Sequence, residues 1–180
     1  MEIIEQNEKI WFAMRATYGR NMMAQRSLDA ASIESFIPMQ QRRTKVGRRI
    51  KVDLVPTVRD LIFVFAERDA LQTQKAKLPY LHYITRPIEG RNTPIEVPKQ
   101  EMEQFIQVCE SGGEVECIAD TTEFSIGERV RISQGALKGI EGRLVKIQGK
   151  RARRFTIEIE GVCTAIMEIK AEELEKIEER

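Results

Sequence analysis

Six cations crowd the ten residues Arg42-Arg43-Thr44-Lys45-Val46-Gly47-Arg48-Arg49-Ile50-Lys51. Side chains of that type at that density repel one another unless water or a polyanion takes up the charge. Such a patch is either a solvated hairpin tip or a phosphate-binding surface that positions a nucleic acid without reading its bases. Other reactive residue types are sparse. His82 is the sole histidine, and no nucleophile, base and orienting group surround it in order, so a structural role suits it better than a catalytic one. Cys109, Cys117 and Cys163 form no CxxC pair and are expected to be free thiols of a reducing compartment rather than a disulfide framework or a zinc site. P-loop, GxGxxG, GxSxG and metal-ligand spacings are all missing. The chain is therefore expected to be no enzyme and to use no metal or cofactor.

A different signal lies in SQGALKGIEGRLVKIQGKRARR (133–154), where four of the chain's eleven glycines fall at 135, 139, 142 and 149 between alternating apolar residues. Glycine permits positive φ and tight bends, so a small, strongly curved β structure accounts for them. Gly135 and Gly139 flank a loop, and Gly142 sits where a strand must coil. Gly149 opens a basic turn containing Lys150, Arg151, Arg153 and Arg154, which is either solvated or in contact with RNA.

The elements that must position these residues divide the chain. At 180 residues, with 29 Lys+Arg against 28 Asp+Glu, it holds one ordinary domain or two small ones, and nothing global demands a polyanion. No apolar run approaches the roughly 18 residues of a membrane span. The acidic, polar start MEIIEQNEKIWF is wrong for a secretory signal, so a cytoplasmic location is expected. KIWFAMRAT (9–17) reads as a buried strand, and Asn21 as the N-cap of a helix over 22–33. SFIPMQQRRTKVGRRIKVDLVP reads as a long hairpin with arms at 35–41 and 50–55 and its tip near Val46-Gly47. DLIFVFAE (60–67) reads as a central strand, and ERDALQTQKAKLP as a short helix ended by Pro79. YITR and PIEV are short strands. Pro98 opens a helix whose buried stripe is Met102, Phe105, Ile106 and Cys109. These elements predict an α/β sandwich. ESGGEVECIADTTEF (110–124) reads as a linker, after which GERVRIS, GRLVKIQG, RRFTIEIEG and CTAIMEIK predict a small β-barrel. The end, AEELEKIEER, is expected to finish as a loose helical turn. Alternation along 61–65 puts Leu61, Phe63 and Phe65 on one face and Ile62 and Val64 on the other. One face must pack on helices; the other either completes a core or forms a docking cavity.

The order G-E-R-V-R-I-S-x-G-x-L-K-G-I-E-G-x-L-V-x-I resembles the KOW motif of the NusG family of transcription elongation factors and of some ribosomal proteins. Lys9-Ile10-Trp11-Phe12, Tyr18-Gly19, Phe36-Ile37-Pro38 and Ile62-Phe63-Val64 follow the order of the NusG N-terminal domain, so the resemblance spans 9–178. The family's Pro-Gly-Tyr before the Phe-Val strand is replaced here by Arg59-Asp60-Leu61, a departure similar to specialised paralogues such as the UpxY type that act on polysaccharide operons. The resemblance implies an α+β fold: an N-terminal α/β sandwich, mostly antiparallel sheet flanked by helices, over 1–110, a linker over 111–124, and a small SH3-like KOW β-barrel over 125–180. It further implies a transcription elongation and antitermination factor. RNA polymerase would dock in an open apolar groove at Leu61 and Phe63, lined or supported by Tyr18 and Phe36. Arg42, Arg43, Lys45, Arg48 and Arg49, with Arg20, would meet DNA of the transcription bubble. Leu137 and Ile140 of the barrel would contact a ribosomal protein or the termination factor Rho. A monomer without membrane contact is expected. A ribosome-associated or general RNA-binding KOW protein is the alternative, and balanced charge with a long apolar N-terminal domain favours the elongation factor. The Val, Ile, Thr and Phe content of 127–169, with glycine at each turn, predicts strands there rather than a helical hairpin.

Overall fold

The computed structural model describes residues 8–119, 124–149 and 151–178. The chain divides into two compact units, Met1–Met39 with Val58–Met102 and Gln40–Thr57 with Glu103–Arg180. Among the described residues no helix is long and apolar enough to cross a membrane.

In the first unit, β1 (Ile10–Ala16) and β5 (Leu61–Ala66) are apolar at consecutive positions, so a sheet containing them must be covered on both faces. They pair antiparallel from Ile10↔Ala66 to Arg15↔Leu61. β2 (Glu34–Phe36) flanks β5, and β6 (Leu81–Tyr83) and β9 (Glu96–Val97) both pair with β1, giving the order β2-β5-β1-β6. Phe12, Met14, Ile62 and Val64 point to one face, where they pack with Ala24 and Leu28 of α1 (Asn21–Ala30) and Leu71 of α2 (Arg68–Lys77). The other face carries Trp11 and Ala13 of β1, Leu61, Phe63 and Phe65 of β5, and Phe36 of β2, by register. Trp11 and Phe65 stack there with ring centroids 5.1 Å apart.

Several sequence expectations shift in register. The first helix begins at Asn21, with Arg20 as its N-cap and no side-chain cap, so Asn21 is not the cap. It is instead buried, and its Nδ2 donates to the Leu61 carbonyl oxygen at 3.1 Å. The long hairpin is β3 (Met39–Val46) with β4 (Arg49–Pro56); its tip is Gly47-Arg48, and Glu34–Phe36 joins the main sheet instead of its arm. Residues 85–94 form a further ribbon, β7 (Thr85–Ile88) with β8 (Arg91–Pro94). In α3 (Lys99–Cys109) the buried line is Met102, Phe105 and Val108; Ile106 and Cys109 are half-buried at its edge.

In the second unit, β11 (Phe124–Ile132), β12 (Glu141–Ile147), β13 (Arg153–Ile159) and β14 (Cys163–Met167) form an antiparallel sheet, as the glycine-parted runs predict. The full order is β10-β14-β13-β12-β11-β15, where β10 is Val115–Ile118 and β15 is Leu174–Lys176. The stretch expected as a linker therefore contributes a strand, because Val115 and Cys117 find partners in Met167 and Ala165. Residues 120–123 of that stretch lie outside the described residues. The acidic tail makes one 3-10 turn, Ala171–Glu173, and then a strand on β11 rather than ending as a helical turn. A register shift between Ile126 and Arg129 bends β11.

The glycines serve two separate needs. At Gly142 a Cβ would lie 2.3 Å from the Thr156 carbonyl oxygen and 2.5 Å from Phe155 Cζ, so the site demands space. Gly139 meets nothing within 4 Å but has φ +93, so that site demands backbone freedom. Gly142→Ala is expected to lower the stability of the C-terminal sheet by about 1–3 kcal/mol, since a fixed carbonyl and a buried ring must both move. Gly139→Ala should cost about 1–2 kcal/mol through φ alone. Hydrogen exchange of β12 and β13 amides checks both; unchanged protection in Gly142→Ala rejects the close-packing account.

Candidate functional site

Three strand ends converge at one edge of the first unit's sheet. β1 stops at Ala16 and passes into the turn Thr17–Gly19, β5 is preceded by Arg59-Asp60, and β6 is preceded by Tyr80. Ala16 N–H donates to the Asp60 carbonyl oxygen at 2.8 Å and Thr17 N–H to that of Tyr80 at 2.9 Å, tying the three together. Tyr18 stands in the left-handed region at φ 63 and ψ 31, a costly place for an aromatic residue. Gly19 follows at φ 69 and Asp60 opposes them at φ 68. The Gly19 N–H donates to the Asp60 carboxylate. Asp60 stands where the resembling family has the glycine of Pro-Gly-Tyr, and it keeps a backbone that glycine favours; aspartate is among the few other residues that tolerate it.

This clasp holds the Tyr18 ring out, 80% exposed. The Arg20 guanidinium lies over two rings, 5.6 Å from the Tyr18 centroid and 5.3 Å from that of half-buried Tyr80. Arg59 reaches Asp60 at 3.8 Å with its own side chain 81% exposed. Arg15 and His82, cross-strand partners at the same edge, are exposed too.

The structure separates the residues expected to form one groove. Phe36, Leu61 and Phe63 share a sheet face, but Leu61 and Phe63 are 3% and 0% exposed and Phe36 is half-buried. Among the described residues Leu61 and Phe63 are thus closed to solvent, in keeping with the cost of leaving such side chains in water. Tyr18 lies off that face, at the sheet end.

Arg42, Arg43, Lys45, Arg48 and Arg49 all lie exposed on the β3–β4 ribbon, and Lys51 pairs with Asp53 at 3.1 Å. The same ribbon exposes Ile50, Val52 and Leu54 in an alternating row on β4, an apolar edge that the hairpin assignment did not single out. The period-2 spacing of Ile50, Val52 and Leu54 in the sequence is the signal that marks it.

In the C-terminal sheet, Leu137 and Ile140 are 8% and 3% exposed. Their loop is knitted to the end of β11, with Ile132 N–H donating to the Ile140 carbonyl oxygen at 2.9 Å and Gly139 N–H to that of Ile132 at 2.7 Å. The accessible positions of the loop are Gln134, Gly135, Ala136, Lys138 and Gly139. In the basic turn, Arg153 lies 3.8 Å from Glu128, and Arg154 pairs with Glu168; Lys150 is outside the described residues. Arg131, then Arg129, hold the Glu141 carboxyl below its ordinary value, and Lys176 does so for Glu128. Charge on this sheet is thus partly self-neutralised.

All three cysteines are free thiols, with Cys109 Sγ 3.8 Å from Cys117 Sγ. That contact and burial push the Cys109 thiol up, and burial does the same for Cys163, so neither is primed as a nucleophile. Among the described residues no group of three His, Cys, Asp or Glu is placed to hold a metal ion.

The family model described as "Transcription termination factor nusG" matches residues 9–106. A solved structure described as "Domain interaction in Thermotoga maritima NusG" is similar with a TM-score of 0.51 at 17% identity, covering 95% of this chain and 98% of that chain. At that identity the likeness is one of fold. Comparison with curated proteins gives no match.

The clasp makes its own prediction. Asp60→Ala should cost about 1–3 kcal/mol, losing a charge-assisted hydrogen bond while keeping an unfavourable φ. Asp60→Gly should cost less, since glycine accepts that φ freely. Urea unfolding followed by Trp11 fluorescence measures both; equal losses would show that backbone conformation contributes nothing.

Proposed function

The chain belongs to the NusG family of transcription factors, and on that premise we propose that it binds RNA polymerase through its N-terminal portion, residues 1–110, and keeps elongation processive past termination signals. The family match over 9–106 carries this reading. Phe36, Leu61 and Phe63 supply the docking face, and the burial of the last two means that docking requires that face to be uncovered. A partner helix laid on it would gain from apolar burial, as in other helix-in-groove contacts. The exposed cations of the β3–β4 ribbon hold DNA of the transcription bubble by its phosphates. The KOW portion, 125–180, recruits a second protein, a ribosomal protein or Rho, with Leu137 and Ile140 shaping the loop that is presented. The departure at Arg59-Asp60-Leu61 favours a specialised member acting on particular operons, polysaccharide biosynthesis being the class its resemblance suggests. Family members are transcription factors rather than enzymes, and none of the site residues pairs a nucleophile with a base.

The protein should co-purify with RNA polymerase and not with ribosomes, and Phe36→Asp should abolish that retention while circular dichroism stays native, because burying an unpaired carboxylate in the interface costs several kcal/mol. Retention by ribosomes alone would move the chain to the general RNA-binding class. The ribbon is tested apart from this. Replacing Arg42, Arg43, Arg48 and Arg49 with alanine should leave polymerase retention intact but weaken binding to bubble DNA and flatten its dependence on salt. An unchanged salt slope returns the ribbon to a solvated role.

A further inference from the structure

All three thiols of the chain belong to the second unit, and neither polymerase docking nor DNA contact calls on them. Cys109 closes α3, and Cys117 lies in β10, the edge strand paired with β14. Their Sγ atoms are 3.8 Å apart. Between them the chain reverses through Gly112, at φ +78, and Gly113, which brings β10 back against the end of the helix. Cys163 lies on β14, two residues before Ala165, the cross-strand partner of Cys117, so it shares the face of Cys117. Diagonal neighbours of this kind keep their Cα atoms about 7–8 Å apart, beyond the roughly 7 Å that a disulfide spans. Cys109 is therefore the thiol within reach of Cys117. It is also half-buried where the other two are buried, so an oxidant arriving from water meets it first.

We propose that Cys109 and Cys117 are a modification site, at which hydrogen peroxide converts the two thiols reversibly into a disulfide that ties β10 to the end of α3. The Cys109 sulfur attacks a peroxide oxygen and the O–O bond breaks. The departing hydroxide leaves with the thiol proton as water, and Cys109 becomes a sulfenic acid. The Cys117 sulfur then attacks the Cys109 sulfur; the S–S bond forms, the S–O bond breaks, and hydroxide leaves with the Cys117 proton as a second water. Two electrons pass from the sulfurs to the peroxide. The contact with Cys117, and then burial, push the Cys109 thiol up, so its thiolate is scarce near neutral pH and the first step is slow. The second step is fast, because the resolving sulfur is already in contact. A pair of this kind answers sustained peroxide, and dithiol reductants restore it by exchange, as for other transient disulfides of a reducing compartment. The inference goes beyond transcription and does not depend on polymerase docking.

The test treats the full chain with hydrogen peroxide near neutral pH and follows its intact mass without reductant. The protein should lose two hydrogens. Glu110, Glu114 and Glu116 lie between the two cysteines, so digestion at glutamate separates them. The Cys109 and Cys117 peptides should nevertheless stay joined until dithiothreitol is added. Cys163→Ala should give the same link. Cys117→Ala should stop at a sulfenic acid on Cys109, which dimedone traps. Cys109→Ala, at the half-buried position, keeps the test decisive where Cys117→Ala does not fold: its Cys117 and Cys163 should remain thiols. Hydrogen exchange of the β10 amides should slow about tenfold in the linked protein, because closing the short ring removes open states of that segment. Three results overturn the proposal: no loss of hydrogens under peroxide that fully oxidises a free-thiol peptide, a link that includes Cys163, or β10 exchange unchanged by the link.

Discussion

The antiparallel ladder between β1 and β5 is the constraint on which the first unit depends. Both strands are apolar at successive positions, so neither can serve as the half-solvated strand of a one-sided sheet. Their register, from Ile10↔Ala66 to Arg15↔Leu61, sends Phe12, Met14, Ile62 and Val64 to the helices and Trp11, Ala13, Leu61 and Phe63 to the other side. A slip of one residue would exchange the two sets and place Arg15 in the helical core. The ladder also decides where the chain must turn. Ending both strands at Ala16 and Leu61 brings Tyr18-Gly19 against Asp60, and three residues of those turns take positive φ to make the junction.

Two cationic surfaces, each taken by itself, differ in physical character. The β3–β4 ribbon offers many charges in water, with exposed aliphatics between them and no aromatic ring. Its contribution to any polyanion contact is long-ranged and sensitive to salt. The sheet end offers fewer charges but places them: the Arg20 guanidinium rests over two rings, and the Gly19 N–H is bonded to the Asp60 carboxylate beside it. A long, solvated arginine loses side-chain entropy when it binds, whereas one already placed over rings loses less.

In the C-terminal sheet the glycine-rich motif serves packing. Gly142 is required because the Thr156 carbonyl and the Phe155 ring occupy the space of its Cβ. Leu137 and Ile140, the large apolar residues of the same motif, are drawn under the loop they shape. What the loop presents outward is mostly backbone and small residues. The ion pairs of Arg129 and Arg131 with Glu141, and of Lys176 with Glu128, fix the flanking strands at their edges without demanding a partner. Such exposed pairs contribute little stability each.

By itself the sequence determined element types wherever local chemistry is strong. The runs IWFAMRA and LIFVFA could only be buried strands, Pro98 and the apolar spacing after it required a helix, and glycine at each turn of 127–169 excluded a helical hairpin. The KOW-like order and the aromatic order of 9–64 carried the family. What only tertiary structure decided was accessibility and conformation, because both depend on residues distant along the chain. Alternation puts Leu61 and Phe63 on one face but cannot say whether that face is covered; both are buried. Val115–Ile118 has weak periodicity and becomes a strand only because β14 offers it an edge. Asn21 looks like a cap until the Leu61 carbonyl, 40 residues away, takes its amide. Nothing local marks Tyr18 as strained or Asp60 as its clasp. Their geometry follows from two strand ends meeting in space, which no window of sequence contains.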